Sequence, residues 1–203
     1  MRYGILADVH GKPEALHKAL RLLHGVDRIL FLGDVPGYRD TEGLPECLQA
    51  LADEGALGVR GNCDAYVLSH RRPPEIAPAL WDYYADWPES IKEEGLLFVH
   101  GGPRDPIHER VDGEHAAWAD FCIFDFDICF HGHEHRVTAF AYSDDGDVAT
   151  VALPESGFYT LEANRRYIIG VGSVGKPKDD CRGSVILFDQ GKRLLRVERF
   201  SIE

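Results

Sequence analysis

Short continuous apolar runs punctuate the first two thirds of the chain, and helical spacings fill the gaps between them. Residues 2–8 (RYGILAD), 28–34 (RILFLGD), 56–62 (ALGVRGN), 95–101 (GLLFVHG) and 127–133 (DICFHGH) each read as a buried strand, the third running into a turn. Leu16, Ala19, Leu20 and Leu23 share one face of a helix over residues 12–24, with Pro13 suited to its first turn. Leu44, Leu48, Leu51 and Ala52 predict a second helix over 41–55, which Gly55 can end. Residues 79–90 predict a helix with an aromatic face, and 114–124 another. Strands alternating with helices imply βαβ units with parallel strands. From about Arg136 the pattern changes to short strands at 137–142, 148–153, 158–163, 167–173, 184–189 and 194–200, and hairpins are expected there. The Pro-rich stretch 71–78 reads as a connector inside one domain spanning 1–203, because the second half repeats the chemistry of the first and completes it.

That chemistry lies where the apolar runs stop. They end in Asp8 and His10, in Asp34, in Asn62, in His100, and in His131, His133 and His135. In parallel α/β sheets, sites form outside the carboxyl ends of the strands. Five strand ends in one sheet are therefore expected to converge on one place. Carboxylate and imidazole without an obvious thiolate suit Mn²⁺, Fe²⁺ or Zn²⁺ better than Ca²⁺ or Cu(I). The set is too large for one four-coordinate ion, so two ions about 3.5–4 Å apart are expected. In residues 124–131, alternation puts Asp125, Asp127, Cys129 and His131 on one face and Phe124, Phe126, Ile128 and Phe130 on the other. His131 thus stays in the strand as a hydrogen-bonded core histidine. Gly132 then permits a sharp turn, and His133 and His135 lie beyond it, able to face two ions. His17, His24, His70 and His115 are expected at the solvated surface. Trp81, Tyr83, Tyr84 and Trp87 are expected to serve packing.

Composition narrows the class. The chain has 203 residues, 44% of them hydrophobic and 28% charged, as expected of a soluble globular protein. Its net charge of −12 argues against coating nucleic acid and against docking to anionic membranes. It does not exclude an anionic substrate, since bound cations can dominate a site's field. Five cysteines without C-x-x-C suit a reducing compartment. With no signal peptide or membrane span legible, a cytoplasmic location is expected.

The motifs D-x-H (Asp8, His10), G-D (Gly33, Asp34), G-N-x-D (Gly61, Asn62, Asp64), a strand-end His100 and G-H-x-H (Gly132, His133, His135) occur in the order and spacing of the calcineurin-like metallophosphoesterases. The chain also resembles their small bacterial and archaeal phosphodiesterase branch, which carries G-N-C-D and a segment similar to GSVGKPKDD here. The resemblance covers nearly the whole chain. It implies an αββα sandwich of two packed mixed sheets flanked by helices. It also implies that Asp8, His10, Asp34 and His135 hold one metal and Asp34, Asn62, His100 and His133 the other, with Asp34 bridging.

Two divalent ions, Mn²⁺ first with Fe, Zn or Ni as alternatives, would generate a bridging hydroxide that attacks phosphorus in line. Asn62 would also hydrogen-bond a small phosphoester substrate. Many family members have His where this chain has Cys63. That His is taken to protonate the leaving group, with the acid at position 64 orienting it. The substitution points to a phosphodiesterase acting on good leaving groups. It speaks against protein phosphatases and dinucleoside tetraphosphatases, whose pattern has G-N-H and an Arg-Gly after G-D, where this chain reads GDVPGY. His108, in the loop leaving the site after His100, is the candidate replacement acid, and Asp64 remains a candidate catalytic group. Lys12, Arg39 and Arg104 flank the motifs and could contact phosphate. The alternatives are a phosphomonoesterase or nucleotide phosphatase of the same fold, or a metal-binding scaffold resembling a retromer subunit. The oligomeric state stays open.

Overall fold

A computed structural model describes residues 1–202. In chain order the elements are β1 (Arg2–Leu6), α1 (Pro13–Leu22), β2 (Arg28–Phe31), α2 (Leu44–Asp53), β3 (Leu57–Gly58), α3 (Asn62–Leu68), α4 (Pro78–Ala85), β4 (Ser90–Glu93), β5 (Leu96–Val99), α5 (Glu114–Ile123) and β6 (Ile128–His131). The strand-rich end follows as β7 (Val137–Tyr142), β8 (Val148–Thr150), β9 (Gly157–Thr160), β10 (Arg166–Val171), β11 (Arg182–Asp189) and β12 (Leu194–Ser201).

Twelve strands form two six-stranded sheets, ordered β3-β2-β1-β11-β12-β9 and β4-β5-β6-β10-β7-β8. Both are mixed. Strand β1 runs parallel to β2 and antiparallel to β11, and β10 runs parallel to β6 and antiparallel to β7. The sheets face each other across a core that includes Tyr3, Ile5, Leu30, Phe98, Phe130, Ile169 and Phe188. Helices α1, α2 and α4 cover the outer face of the first sheet through Leu16, Leu48 and Tyr84. Helix α5 covers the second through Ala117 and Phe121, packed on Cys129 and Ile168. The layer order is helix, sheet, sheet, helix, as the family resemblance implied.

Several expectations change. The five ligand-bearing strand ends do not share one sheet. Strands β1, β2 and β3 lie in the first sheet, β5 and β6 in the second, so the site lies at the seam of the sandwich. Alternation in the histidine strand holds only over Ile128–His131. Phe126 precedes it and packs with Cys129 under α5, while Ile128 and Phe130 enter the core between the sheets. The pattern of residues 124–127 belongs to a connection rather than a pleat. Helix α3 and strand β4 have no counterpart in the apolar pattern, being short and half polar. Within the stretch 71–78, Ile76 is fully buried in the cluster that includes Leu48 and Tyr84. The aromatic stretch does pack. Trp87 lies 5.5 Å from Phe31, ring to ring, and edge-on to Tyr84. Among the described residues, no helix is long and apolar enough to cross a membrane.

Candidate metal centre

Most of the site's side chains are presented by strained loop backbone. Eight non-glycine residues have positive φ among those described, and five of them are Asp8, His10, Asp34, His133 and His135. A side chain there costs about 1–3 kcal/mol when the surroundings enforce it, and such strain collects at functional sites. The loop after β1 is held to the loop after β2 by backbone bonds from Asp8 to Gly33 (3.0 Å), His10 to Asp34 (3.1 Å) and Gly11 to Val35 (2.8 Å). Within the second sheet Gly132 N–H donates to His100 O (3.0 Å), and the two sheets are joined where His133 N–H donates to Asp8 Oδ2 (3.0 Å). Gly132 is not in the left-handed region; the turn is made by His133 and His135. Glycine is needed at 132 for closeness, because a Cβ would lie 2.8 Å from Asp8 Oδ2 and 2.9 Å from Ala7 Cβ.

The imidazoles are oriented from behind. Nδ1 of His10 donates to Pro36 O (3.2 Å), that of His100 to Leu32 O (2.7 Å) and that of His135 to Lys176 O (2.6 Å). Carbonyls only accept, so all three present an Nε2 lone pair to the site. His10 Nε2 and His135 Nε2 then stand 3.1 Å apart, and His100 Nε2 is 3.1 Å from both Asn62 Oδ1 and His133 Nδ1. Asp8 Oδ1 is buried and accepts no hydrogen bond, with His135 Nε2 at 3.1 Å and His10 Nε2 at 3.6 Å. Converging lone pairs around an orphaned carboxylate oxygen fit a divalent cation. Three overlapping groups of ligand atoms lie within 4.8 Å of one another: Asp8, His10 and His135; His10, Asp34 and Cys63; and Asp8, Asp34 and His100.

The titrations record the crowding. Burial alone would raise the Asp8 carboxyl, but the facing imidazoles of His10 and His135, when protonated, outweigh it and lower it. Burial opposes a charge on His100, yet Asp34 and Asp8 raise it. Burial and neighbouring His100 push His133 down to about 4. Burial, then Asp34, raises the Cys63 thiol far above its ordinary value.

Behind this set stands Asp64, fully buried. Its carboxylate accepts from the N–H groups of Gly61 (2.7 Å), Asp34 (2.7 Å) and Val35 (3.1 Å) and from the Tyr84 hydroxyl (2.8 Å). None of these four hydrogen bonds comes from the Cys63 thiol, and the carboxylate instead ties the loops after β2 and β3 to helix α4. Burial and Asp34 push its carboxyl up to about 6. Pattern reasoning missed Tyr84 as part of this arrangement, since its aromatic neighbours signalled packing alone.

Two cavities open on the cluster. One of about 430 Å³ is lined by Tyr38, Arg39, Asn62, Cys63, Tyr66 and the exposed His108. The other, about 670 Å³, adjoins His135 and Lys12. Arg104 is turned elsewhere: its Nε donates to Asp120 Oδ1 (2.8 Å), and its guanidinium also pairs with Glu109. His131 is fully buried, its Nδ1 3.1 Å from Gly132 O and its Nε2 unpartnered. His17, His24, His70 and His115 are exposed.

Comparison with known proteins agrees with this arrangement. The calcineurin-like phosphoesterase superfamily domain matches residues 1–193. A metallophosphoesterase from Sphaerobacter thermophilus is 27% identical, with a TM-score of 0.85 over 99% of this chain and 88% of its own. An uncharacterised protein of Methanocaldococcus jannaschii is 28% identical across 96% of this chain and 85% of its own length. A structurally characterised archaeal phosphodiesterase shares the fold at 12% identity, with a TM-score of 0.52 over 98% of this chain and all of its own.

Proposed function

The chain belongs to the calcineurin-like phosphoesterase superfamily, and from that premise we propose that it is a phosphodiesterase dependent on two divalent metal ions and acting on a small phosphoester. The observation that carries the reading is the position of Asp34. Its Oδ1 lies 3.6 Å from His100 Nε2 and its Oδ2 3.9 Å from His10 Nε2, one oxygen toward each half of the cluster. Asp8, His10, Asp34 and His135 would hold one ion, and Asp34, Asn62, His100 and His133 the other. When bound, the ions supply Lewis acidity, acidifying a water and neutralising charge on the phosphoryl oxygens. Carboxylate, amide and imidazole donors suit Mn²⁺, with Fe, Zn or Ni as alternatives.

The chain's own groups do the rest. Backbone carbonyls fix the imidazole tautomers. Asn62 offers Oδ1 toward His100, and its Nδ2, otherwise 3.4 Å from Cys63 Sγ, is available to a phosphoryl oxygen. Cys63, where the resemblance implies His in many family members, gives the leaving group no effective acid. Esters whose leaving group needs no proton should therefore go fastest. His108 shares a cavity with Asn62 and Cys63 and is the side chain placed to protonate a poorer leaving group.

Elemental analysis of the purified protein should give about two ions per chain. With Mn²⁺, bis-p-nitrophenyl phosphate should be hydrolysed faster than p-nitrophenyl phosphate. Faster monoester turnover would make it a phosphomonoesterase, and tightly held metal without turnover of either ester would make it a scaffold. Cys63→Ser should keep most activity; its near-complete loss with metals retained would indicate covalent chemistry instead. His108→Ala should slow alkyl diesters much more than p-nitrophenyl esters, and equal losses would reduce it to a loop-shaping residue.

A further inference from the structure

We propose that the cavity beside His135 is a subsite for a second phosphate of the substrate, carried on the ester arm away from the scissile phosphorus. This rests on the phosphodiesterase reading and narrows its substrate class to phosphodiesters that also bear a phosphate monoester.

The cavity is lined by Lys12, Lys176, Lys178, Arg182, His135 and Cys181 among others, and, among the described residues, by no carboxylate. That is unexpected in a chain with 34 acidic and 22 basic residues. The described acids next to Lys178 are already paired. Asp179 is paired with Arg199 (2.6 Å) and accepts from Val137 N–H (2.8 Å), and Asp180 is paired with Arg182. The ammonium groups of Lys12, Lys176 and Lys178 have no ion pair or hydrogen bond among the described residues. Three cations without a partner among the described residues therefore share one concavity, on a molecule whose overall field repels anions.

Lys176 and Lys178 sit on a fixed segment, and Lys12 is the N-cap residue of α1. Val174 and Gly175 N–H groups donate to Ala7 O and Asp8 O (both 2.9 Å), and Ser173 Oγ donates to Asp8 O (2.8 Å). Lys176 O takes the Nδ1 proton of His135, and Lys178 N–H donates back to His135 O (2.9 Å). Gly175 makes the approach possible, since a Cβ there would meet Val9 O at 1.9 Å. The basic segment is thus bonded directly to the loops that present Asp8 and His135. An anion bound to it adjoins the cluster at His135, whereas the cavity of Tyr38, Tyr66 and His108 adjoins it at Asn62 and Cys63. Ammonium groups recognise phosphate as point charges.

Two substrates sharing leaving group and scissile bond test this: the p-nitrophenyl ester of thymidine 5′-phosphate, and the same ester carrying a 3′-phosphate. At low salt, kcat/KM should be about tenfold higher for the phosphorylated ester, the size of a few screened ion pairs, with the gain in KM. The preference should fall to about twofold or less in Lys12→Ala/Lys176→Ala/Lys178→Ala and survive in the triple Arg variant. Equal kcat/KM in the wild type, or a preference kept by the alanine variant, overturns the proposal. Turnover of neither ester would fault the phosphodiesterase reading. The subsite is then still decided by alkylation of Cys181 with N-ethylmaleimide, using the exposed Cys122 as internal reference. Inorganic pyrophosphate should slow alkylation of Cys181 severalfold in the wild type and not in the alanine variant. No slowing, or equal slowing in both, overturns the proposal.

Discussion

At the scale of single residues, the site depends on ligand atoms that face each other at close range. Asp34 touches both halves of the cluster, so Asp34→Asn should release both ions, while Asn62→Ala should weaken mainly one. Elemental analysis checks this, and two tightly bound ions in Asp34→Asn would refute the shared ligand. Tyr84 gives Asp64 one of its four hydrogen bonds. Tyr84→Phe should cost about 1–2 kcal/mol in urea denaturation, the usual cost of removing one donor to a buried carboxylate. His131 offers a pH signature. Burial lowers it to about 4 from an ordinary value of 6.5. Its folded pKa lies below its unfolded one, so its stabilising effect is full above about pH 6.5 and is lost as pH falls toward 4. The loss approaches about 3 kcal/mol. His131→Gln cannot titrate, so its denaturation midpoint should fall less steeply over that window, measured with chelator present so that metal release does not contribute.

At the scale of elements, the strands are regular and the loops at their ends carry the cost. Five ligand residues with positive φ are held by bonds between loops of different strands, so strain at one is shared with the others. Gly132→Ala probes this directly. A methyl group there must displace Asp8 or Ala7, so about 1–3 kcal/mol of stability should be lost. Metal affinity should fall with it, because Asp8 Oδ2 holds the His133 amide in place. Unchanged metal affinity in a folded Gly132→Ala would mean that the loop after β6 adjusts independently of the loop after β1.

At the scale of the whole molecule, two sheets share one core, and the cluster of acids and imidazoles sits across their seam. Ions that bind only the folded chain stabilise it by mass action, about 2.7 kcal/mol at a hundredfold excess over Kd. Chelation should therefore lower Tm by several degrees, and a Tm indifferent to chelator would argue against tight metal binding. The apolar runs determined the strands β1, β2, β5 and β6 and the helices α1, α2 and α5, because burial on both faces of a strand or one face of a helix leaves a readable period. They did not reveal α3 or β4, whose seven and four residues are too short and too polar to show one. The residue types at the strand ends determined which side chains form the cluster, since carboxylates and imidazoles after apolar strands have few other reasons to gather. Only the tertiary structure decided that these ends come from two sheets, that Gly132 is needed for closeness while His133 and His135 make the turn, that Asp64 binds loops together, and that Arg104 is engaged by Asp120 and Glu109. Those outcomes depend on contacts between segments up to 125 residues apart, as between His133 and Asp8, which no local period encodes.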